Sequence, residues 1–430
     1  MLILSIETSC DETAIALVEA SGGLRNPKFK ILKNLVASQI KIHRPYGGVV
    51  PNLAKREHLK NLPILYKRIM NNELGIKNKK IIIHNSKFIV PDLIAVTVGP
   101  GLEPALWTGI NFAKELYKES RIKNKELRII GASHLEAHLY SFLLSQKNRI
   151  MNNELRIRNR GKKPIIHNSK FIIQDIFPSI ALIISGGHTI LLLMEDLTHY
   201  KKLGETRDDA IGECFDKVAR LLKLSYPGGP EIERLAKSGN PKAIQFPKPM
   251  LNQKNYDFSF SGLKTAVLYY LKDSEANIFS RNLRRRAGMV SRPWRDERAE
   301  EQASEHAGRA KRVEGKDLAS DVAASFQAAA LDVLIKKTLR AAKEFEAKSI
   351  IISGGVASNK TLQKQFQLEI KNCLPAEASA QAGKLEINFL VPLKKFCTDN
   401  AVMIAASGYL NYLRNKNRRL IARGDITLGK

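Results

Sequence analysis

Cysteine is scarce: four residues in 430 (Cys10, Cys214, Cys373 and Cys397), widely spaced and without a CxxC pair. That excludes a disulfide framework and a thiolate zinc site, and makes a reduced, cytosolic compartment the default. Long apolar runs are missing too, since no stretch reads as the roughly 18 residues needed to cross a bilayer. The N-terminus, MLILSIETS, has no basic region and only about four apolar residues before polar ones begin. Neither a signal peptide nor a membrane span is expected. Acidic residues are few, 42 Asp+Glu against 70 Lys+Arg, which leaves a formal net charge of +28. Such an excess suits a partner dense in phosphate. At 44% hydrophobic and 26% charged the composition is globular, and the length suggests two or three domains.

The charge is unevenly placed because the chain carries a duplicated segment. Residues 68–88 begin RIMNNEL and end HNSKF, and so do residues 149–171. Two copies cannot stack into a solenoid. Each lies between a helix-like and a strand-like run, where extra residues are tolerated best, and both read as surface insertions, spanning 68–91 and 149–171. Residues 281–315, rich in Arg, Glu and Ala without apolar periodicity, read as a third, solvated or disordered excursion. The Ala-rich Pro375–Gly383 stretch reads as a shorter fourth. The first three segments carry +4, +6 and +4, half of the total charge. Only the remaining +14 is available to a nucleic-acid surface.

Outside the insertions, strand and helix signals alternate. Residues 2–19 predict a hairpin around a polar turn, residues 93–98 a buried strand, and residues 179–194 a second hairpin around a glycine turn. Residues 348–356 repeat the strand-then-GG pattern, and helices are expected over 210–224 and 319–345. This mixture argues for α/β layers. Three strand-then-turn elements, with no GxGxxG after a strand, suggest a duplicated nucleotide-binding architecture rather than one Rossmann unit.

Chemistry concentrates in a few places. In Ser133-His134-Leu135-Glu136-Ala137-His138, a helix puts His134 and His138 on one face, able to grip one metal ion. The order is HxExH, not HExxH, so Glu136 is misplaced for the general base of a zinc protease. Ser185-Gly186-Gly187-His188-Thr189, Gly228-Gly229 and Ser353-Gly354-Gly355 offer backbone N–H groups to a phosphate or adenylate. The first hairpin turn, Ser9-Cys10-Asp11-Glu12-Thr13, combines hydroxyls with two acids.

Ten motifs in chain order then identify a resemblance: IETSCDET from Ile6, HRPYGGVVP from His43, GPGL from Gly99, SHLEAH from Ser133, SGGHT from Ser185, DDAIGECFDKVARLL from Asp208, YPGGP from Tyr226, DFSFSGLKT from Asp257, SGGVASN from Ser353 and CTDNA from Cys397. The chain resembles the bacterial tRNA adenosine threonylcarbamoyltransferase family, once described as glycoproteases, within the actin, Hsp70 and sugar-kinase (ASKHA) superfamily. VASN stands where the family pattern has VSAN, which keeps Asn359.

The resemblance implies two ribonuclease H-like lobes around a central cleft, 1–178 and 179–430, with the final helix packing back on the first. It implies a metal site of His134, His138 and Asp399, holding iron(II) first and zinc as the alternative. It implies that Ser185, Gly186, Gly187, His188 and Thr189, with Asp216, Gly229, Glu233 and Asn359, bind the donor, threonylcarbamoyl-AMP. Asp11 and Glu12 are the candidates for catalytic proton handling. The implied reaction moves the threonylcarbamoyl group to N6 of adenosine 37 in tRNAs reading codons that start with A, releasing AMP. An inactive paralogue of the same fold and a P-loop ATPase are the implied protein partners. A metalloprotease and a small-molecule kinase of the same fold are the alternatives.

Overall fold

The computed structural model describes residues 1–70, 90–144, 173–274, 297–372 and 387–428, with backbone alone for 297–317. The two repeat copies, apart from residues 68–70, 90 and 91, lie outside the described residues, as do residues 281–296 and the Pro375–Gly383 stretch.

Among the described residues, ten strands form two five-stranded mixed sheets. The first contains β1 (Leu2–Glu7), β2 (Glu12–Ser21), β3 (Lys28–Ser38), β4 (Leu93–Gly99) and β5 (Arg128–Ser133), in the order β3-β2-β1-β4-β5. The second contains β6 (Ser179–Ile184), β7 (Thr189–Met194), β8 (Tyr200–Glu205), β9 (Ser349–Ser353) and β10 (Asn388–Leu390), in the order β10-β9-β6-β7-β8. In each, the first three strands form an antiparallel meander and the first strand pairs in parallel with the fourth. The same chain path is therefore used twice, as the expected duplicated architecture requires. Both expected hairpins form, with Glu7 opposite Ala14 and Ile184 opposite Thr189 at their turns.

The helices that matter here are α1 (Pro51–Met70), α2 (Glu103–Arg121), α3 (His134–Tyr140), α4 (Ile211–Leu221), α5 (Gly228–Ala236), α6 (Glu297–Glu344), α7 (Lys360–Asn372) and α8 (Ala401–Leu413). Central strands are apolar on both faces because both faces are covered, so β4 and β6 are buried at every residue. Successive side chains serve different cores. Leu4 and Ile6 join Leu62 of α1 and Leu106 of α2 in an outer core. Ile180 and Leu182 join Phe215 of α4, Phe326 of α6 and Phe366 of α7 in another. The alternate residues, Ile3, Ala181 and Ile183, share a third core with Met403 and Ile404 of α8.

That third core brings the two sheets together through α8, which is buried from Ala401 to Asn411. Ser5 of β1 donates its hydroxyl to the carbonyl of Ala401 at 2.6 Å. A Cβ on Gly408 would lie 2.6 Å from that of Ala95 on β4. Gly408→Val should accordingly lower stability by about 1–3 kcal/mol, read as a shift in the denaturant midpoint; an unchanged midpoint would mean that the contact is slack.

Two expectations are corrected. The Arg/Glu/Ala-rich segment is helical from Glu297 onward and continuous with the 319–345 helix. Ala, Glu, Gln, Lys and Arg are strong helix formers, and no proline lies between Pro293 and Glu344, so propensity extends the helix without apolar periodicity. Within it, Leu318–Glu344 is long and apolar enough to cross a membrane, contrary to the expectation of no such stretch. Its apolar residues, Val322, Phe326, Leu331 and Leu334 among them, are buried in the second sheet's outer core.

Candidate functional site

Strand β5 runs straight into α3, and the turn is fixed by Ser133, whose hydroxyl accepts the Glu136 N–H at 3.4 Å as an N-cap. His134 and His138, one helical turn apart, stand with ring centroids 4.6 Å apart. Asp399 reaches them from the start of α8, where Asn400 caps the helix by accepting the Met403 N–H at 3.1 Å. Asp399 Oδ1 lies 3.1 Å from His138 Nε2 and 3.6 Å from His134 Nε2. One ligand atom from each of the three residues falls within 4.8 Å of the others, so the group could hold a metal ion. The donor set fits. Ligand bonds of about 2.1 Å place neighbouring donors roughly 3.0–3.4 Å apart, close to the two spacings seen.

The residues behind the histidines fit as well. Glu7, at the end of β1, accepts from Ser9 N and from the Thr97 hydroxyl at 2.5 and 2.7 Å, and its Oε2 lies 3.2 Å from His134 Nδ1. With Nδ1 turned to a carboxylate, Nε2 is the atom left for a metal, the usual second-layer arrangement of a metal-binding histidine. Burial pushes the His134 imidazole down, but the charges of Asp399 and Glu7 prevail and hold it at about 9. Burial raises the Asp399 carboxyl, and the two imidazoles overcome that and bring it to about 2. Without an ion, then, a proton on His134 balances the acids. His138 is pushed down by burial and by the charge on His134, so it stands neutral, the form that binds metals.

Glu136 faces away from the three. Its carboxylate accepts from Tyr200 Oη at 2.7 Å, Arg418 Nη2 at 2.8 Å, Lys416 Nζ at 3.2 Å and Asn411 Nδ2 at 3.3 Å. Burial would raise it, but Arg418 and Lys416 hold it at about 2. It is a structural anion and no proton acceptor for a peptidase.

The other expected residues surround the triad unevenly. The Ser185–Thr189 turn closes on itself, with Ser185 N donating to His188 O at 2.8 Å and His188 N to Ser185 Oγ at 3.1 Å. Thr189 Oγ1 accepts the Ile211 N–H at 2.9 Å and so docks the turn on the start of α4. Gly212 permits that approach, because a Cβ there would sit 2.6 Å from Ser185 O. Open space lies where Gly186, Gly187, Gly229 and Gly355 would carry a Cβ, leaving a ligand free to approach their backbone. His188 is brought down to about 4, first by burial and then by the positive charge on His134, which puts the turn beside the triad.

Asp216 on α4 accepts the Gly228 N–H at 2.6 Å. Burial raises its carboxyl to about 6 against the Gly228 and Gly229 N–H groups, with the Asp11 charge adding to the rise. Glu12, beside Asp11, is pushed well above the usual carboxylate range by burial and by the charges of Asp11 and Asp399. Glu233 and Asn359 are already engaged at the start of α7: Glu233 Oε1 accepts Lys360 N and Asn359 Oδ1 accepts Leu362 N, both at 2.9 Å. Asn359 also donates to Gln327 Oε1 at 3.0 Å.

Several residues in this region escaped the sequence reading. Glu7 is one, and its only signal is a buried acid closing an apolar strand. His58 bonds to Thr13 Oγ1 at 2.8 Å and to Cys10 O at 2.9 Å, bracing the acidic turn. His43, in the HRPYGG motif, bonds to Gln39 Oε1 at 3.0 Å.

The chain is similar over nearly its whole length to proteins of one family. Residues 30–151 and 165–406 match the family described as TsaD, tRNA N6-adenosine threonylcarbamoyltransferase; the unmatched residues 152–164 fall inside the second repeat copy. A protein of that name from Thermosipho melanesiensis is 40% identical over 409 residues, covering 95% of this chain and 94% of the relative. Another from Dictyoglomus turgidum is 38% identical over 433 residues and covers both chains fully.

Proposed function

The chain belongs to the tRNA N6-adenosine threonylcarbamoyltransferase family, and from that premise we propose that it moves a threonylcarbamoyl group from threonylcarbamoyl-AMP to N6 of adenosine 37 in tRNAs reading codons that start with A. The lobes would be residues 1–178 and 179–430, with the repeat copies and 281–315 as insertions. The observation that carries the site is the meeting of His134, His138 and Asp399 beside the Ser185–Thr189 glycine turn. A bound divalent ion, iron(II) before zinc, would supply positive charge against the donor's developing negative oxygen.

The donor is a mixed anhydride, so no protein nucleophile is needed. N6 attacks the carbamoyl carbon, a C–N bond forms, the C–O bond to phosphorus breaks, and AMP departs with the electron pair. Gly186, Gly187, Gly229 and Gly355 would let backbone N–H groups approach the adenylate, with Ser185, His188 and Thr189 shaping the first turn. Asp216 would bind the donor beside Gly229. Glu233 and Asn359 would act on the donor through the α7 terminus that they hold. Asp11 or Glu12 would accept or position the N6 proton.

Reaction on tRNA puts the protein in the cytosol, with an inactive paralogue and a P-loop ATPase as proposed partners. The peptidase reading loses its base, because Glu136 is locked behind α3. A kinase reading leaves the triad without a purpose. Incubation of the metal-loaded protein with threonylcarbamoyl-AMP and unmodified tRNA, with and without those partners, should yield the modified nucleoside by mass spectrometry. None under any condition would contradict the proposal.

A further inference from the structure

A cavity of about 450 Å³ opens beside Asp216, lined by Arg44, Tyr46, Gly47, Arg220 and Tyr226 along with that aspartate. It lies between the segment leaving β3 and the α4–α5 connection, so each sheet's side of the molecule supplies one wall. Arg44 Nε donates to Tyr226 O at 3.0 Å, and Arg220 donates in return to Gly47 O. The turn at Gly47, with φ +67°, lets the Arg220 guanidinium lie close against the backbone. Tyr46 is 65% exposed. Of these residues only Asp216 enters the donor site described above.

This lining has the chemistry of a nucleotide site. A guanidinium has five N–H donors, and the bonds just described use one from each arginine, leaving others for phosphate oxygens. An exposed ring offers a stacking face to any base. A base that must bring N6 to a buried carbonyl leaves its own stack, and its neighbour in the strand loses a partner. We propose that Tyr46 stacks the nucleotide next to the reacting adenosine while Arg44 and Arg220 take the flanking phosphates. The proposal rests on the transferase reading and adds to it where the single-stranded RNA lies.

Tyr46 is exposed, so its replacement leaves the cores intact. The test is binding of an unmodified anticodon stem-loop RNA, followed by fluorescence anisotropy, together with separate KM values for tRNA and donor. Tyr46→Ala should weaken RNA binding about fivefold to a hundredfold and raise the KM for tRNA, leaving the KM for donor unchanged. Tyr46→Phe should behave as wild type. Arg44→Gln should lower the slope of log affinity against log salt by about one. Unchanged RNA affinity in Tyr46→Ala, with an active wild type, would overturn this inference and leave the transferase reading standing. A rise in donor KM alone would give the cavity to the donor and overturn it equally. RNA binding that depends on Tyr46, in a wild type forming no modified nucleoside, would uphold the RNA site and sink the transferase reading.

Discussion

His134→Ala should lose the bound metal and nearly all transfer activity while keeping its fold. Three ligand atoms gathered within 4.8 Å become two, and Glu7 and Asp399 lose the imidazole between them. Removing a partner that merely orients a ligand costs about 10–100-fold in metal affinity or activity. Loss of a ligand should exceed that, and Glu7→Gln should fall within it, because Glu7 touches His134 through Nδ1 only. Metal content by elemental analysis and single-turnover transfer would be measured on the same preparations, with circular dichroism as the check on folding. A His134→Ala protein that is metal-free yet fully active would remove the ion from the mechanism.

The second large effect is on stability and its pH dependence. Glu136 is fully buried, and Arg418 and Lys416 bring its carboxyl from an ordinary 4.5 to about 2. A group lowered on folding stabilises the protein above its unfolded pKa and loses that contribution as pH falls through the folded one. The window is therefore about pH 4.5 down to about 2, and the contribution at neutral pH is about 3 kcal/mol. Glu136→Gln should destabilise by roughly that amount at pH 7 and should flatten the fall in stability over the same window. Since Glu136 sits between the two histidines on α3, the variant should also hold metal less tightly. Urea titrations at several pH values would test the stability, and an unchanged acid limb would show that the network contributes nothing.

How much was legible beforehand follows from what is local. The β1–β2 and β6–β7 hairpins were readable, because each is two apolar runs around a short polar or glycine turn. The His134–His138 pair was readable as helical spacing. Asp399 was not readable from spacing: it lies 261 residues from His138, and only the resemblance to a family supplied it. Glu7 lies 127 residues from His134 and His58 45 from Thr13, distances at which nothing in the chain marks a partner. The helix over 297–317 was missed for another reason. This stretch has no apolar periodicity and forms on propensity. The basic charge suggested a nucleic acid, yet half of it falls in segments outside or at the margin of the described fold.

The most direct measurement follows one carbon atom. Threonylcarbamoyl-AMP carrying carbon-13 at the carbamoyl position would be given to the metal-loaded protein with unmodified tRNA and the proposed partners, and the nucleosides and small products analysed by mass spectrometry. The expected result is label in the modified adenosine of the tRNA with one AMP released per nucleoside formed, in wild type and not in His134→Ala. Label appearing only as carbonate or in small molecules, with tRNA unlabelled, would contradict transfer at this site.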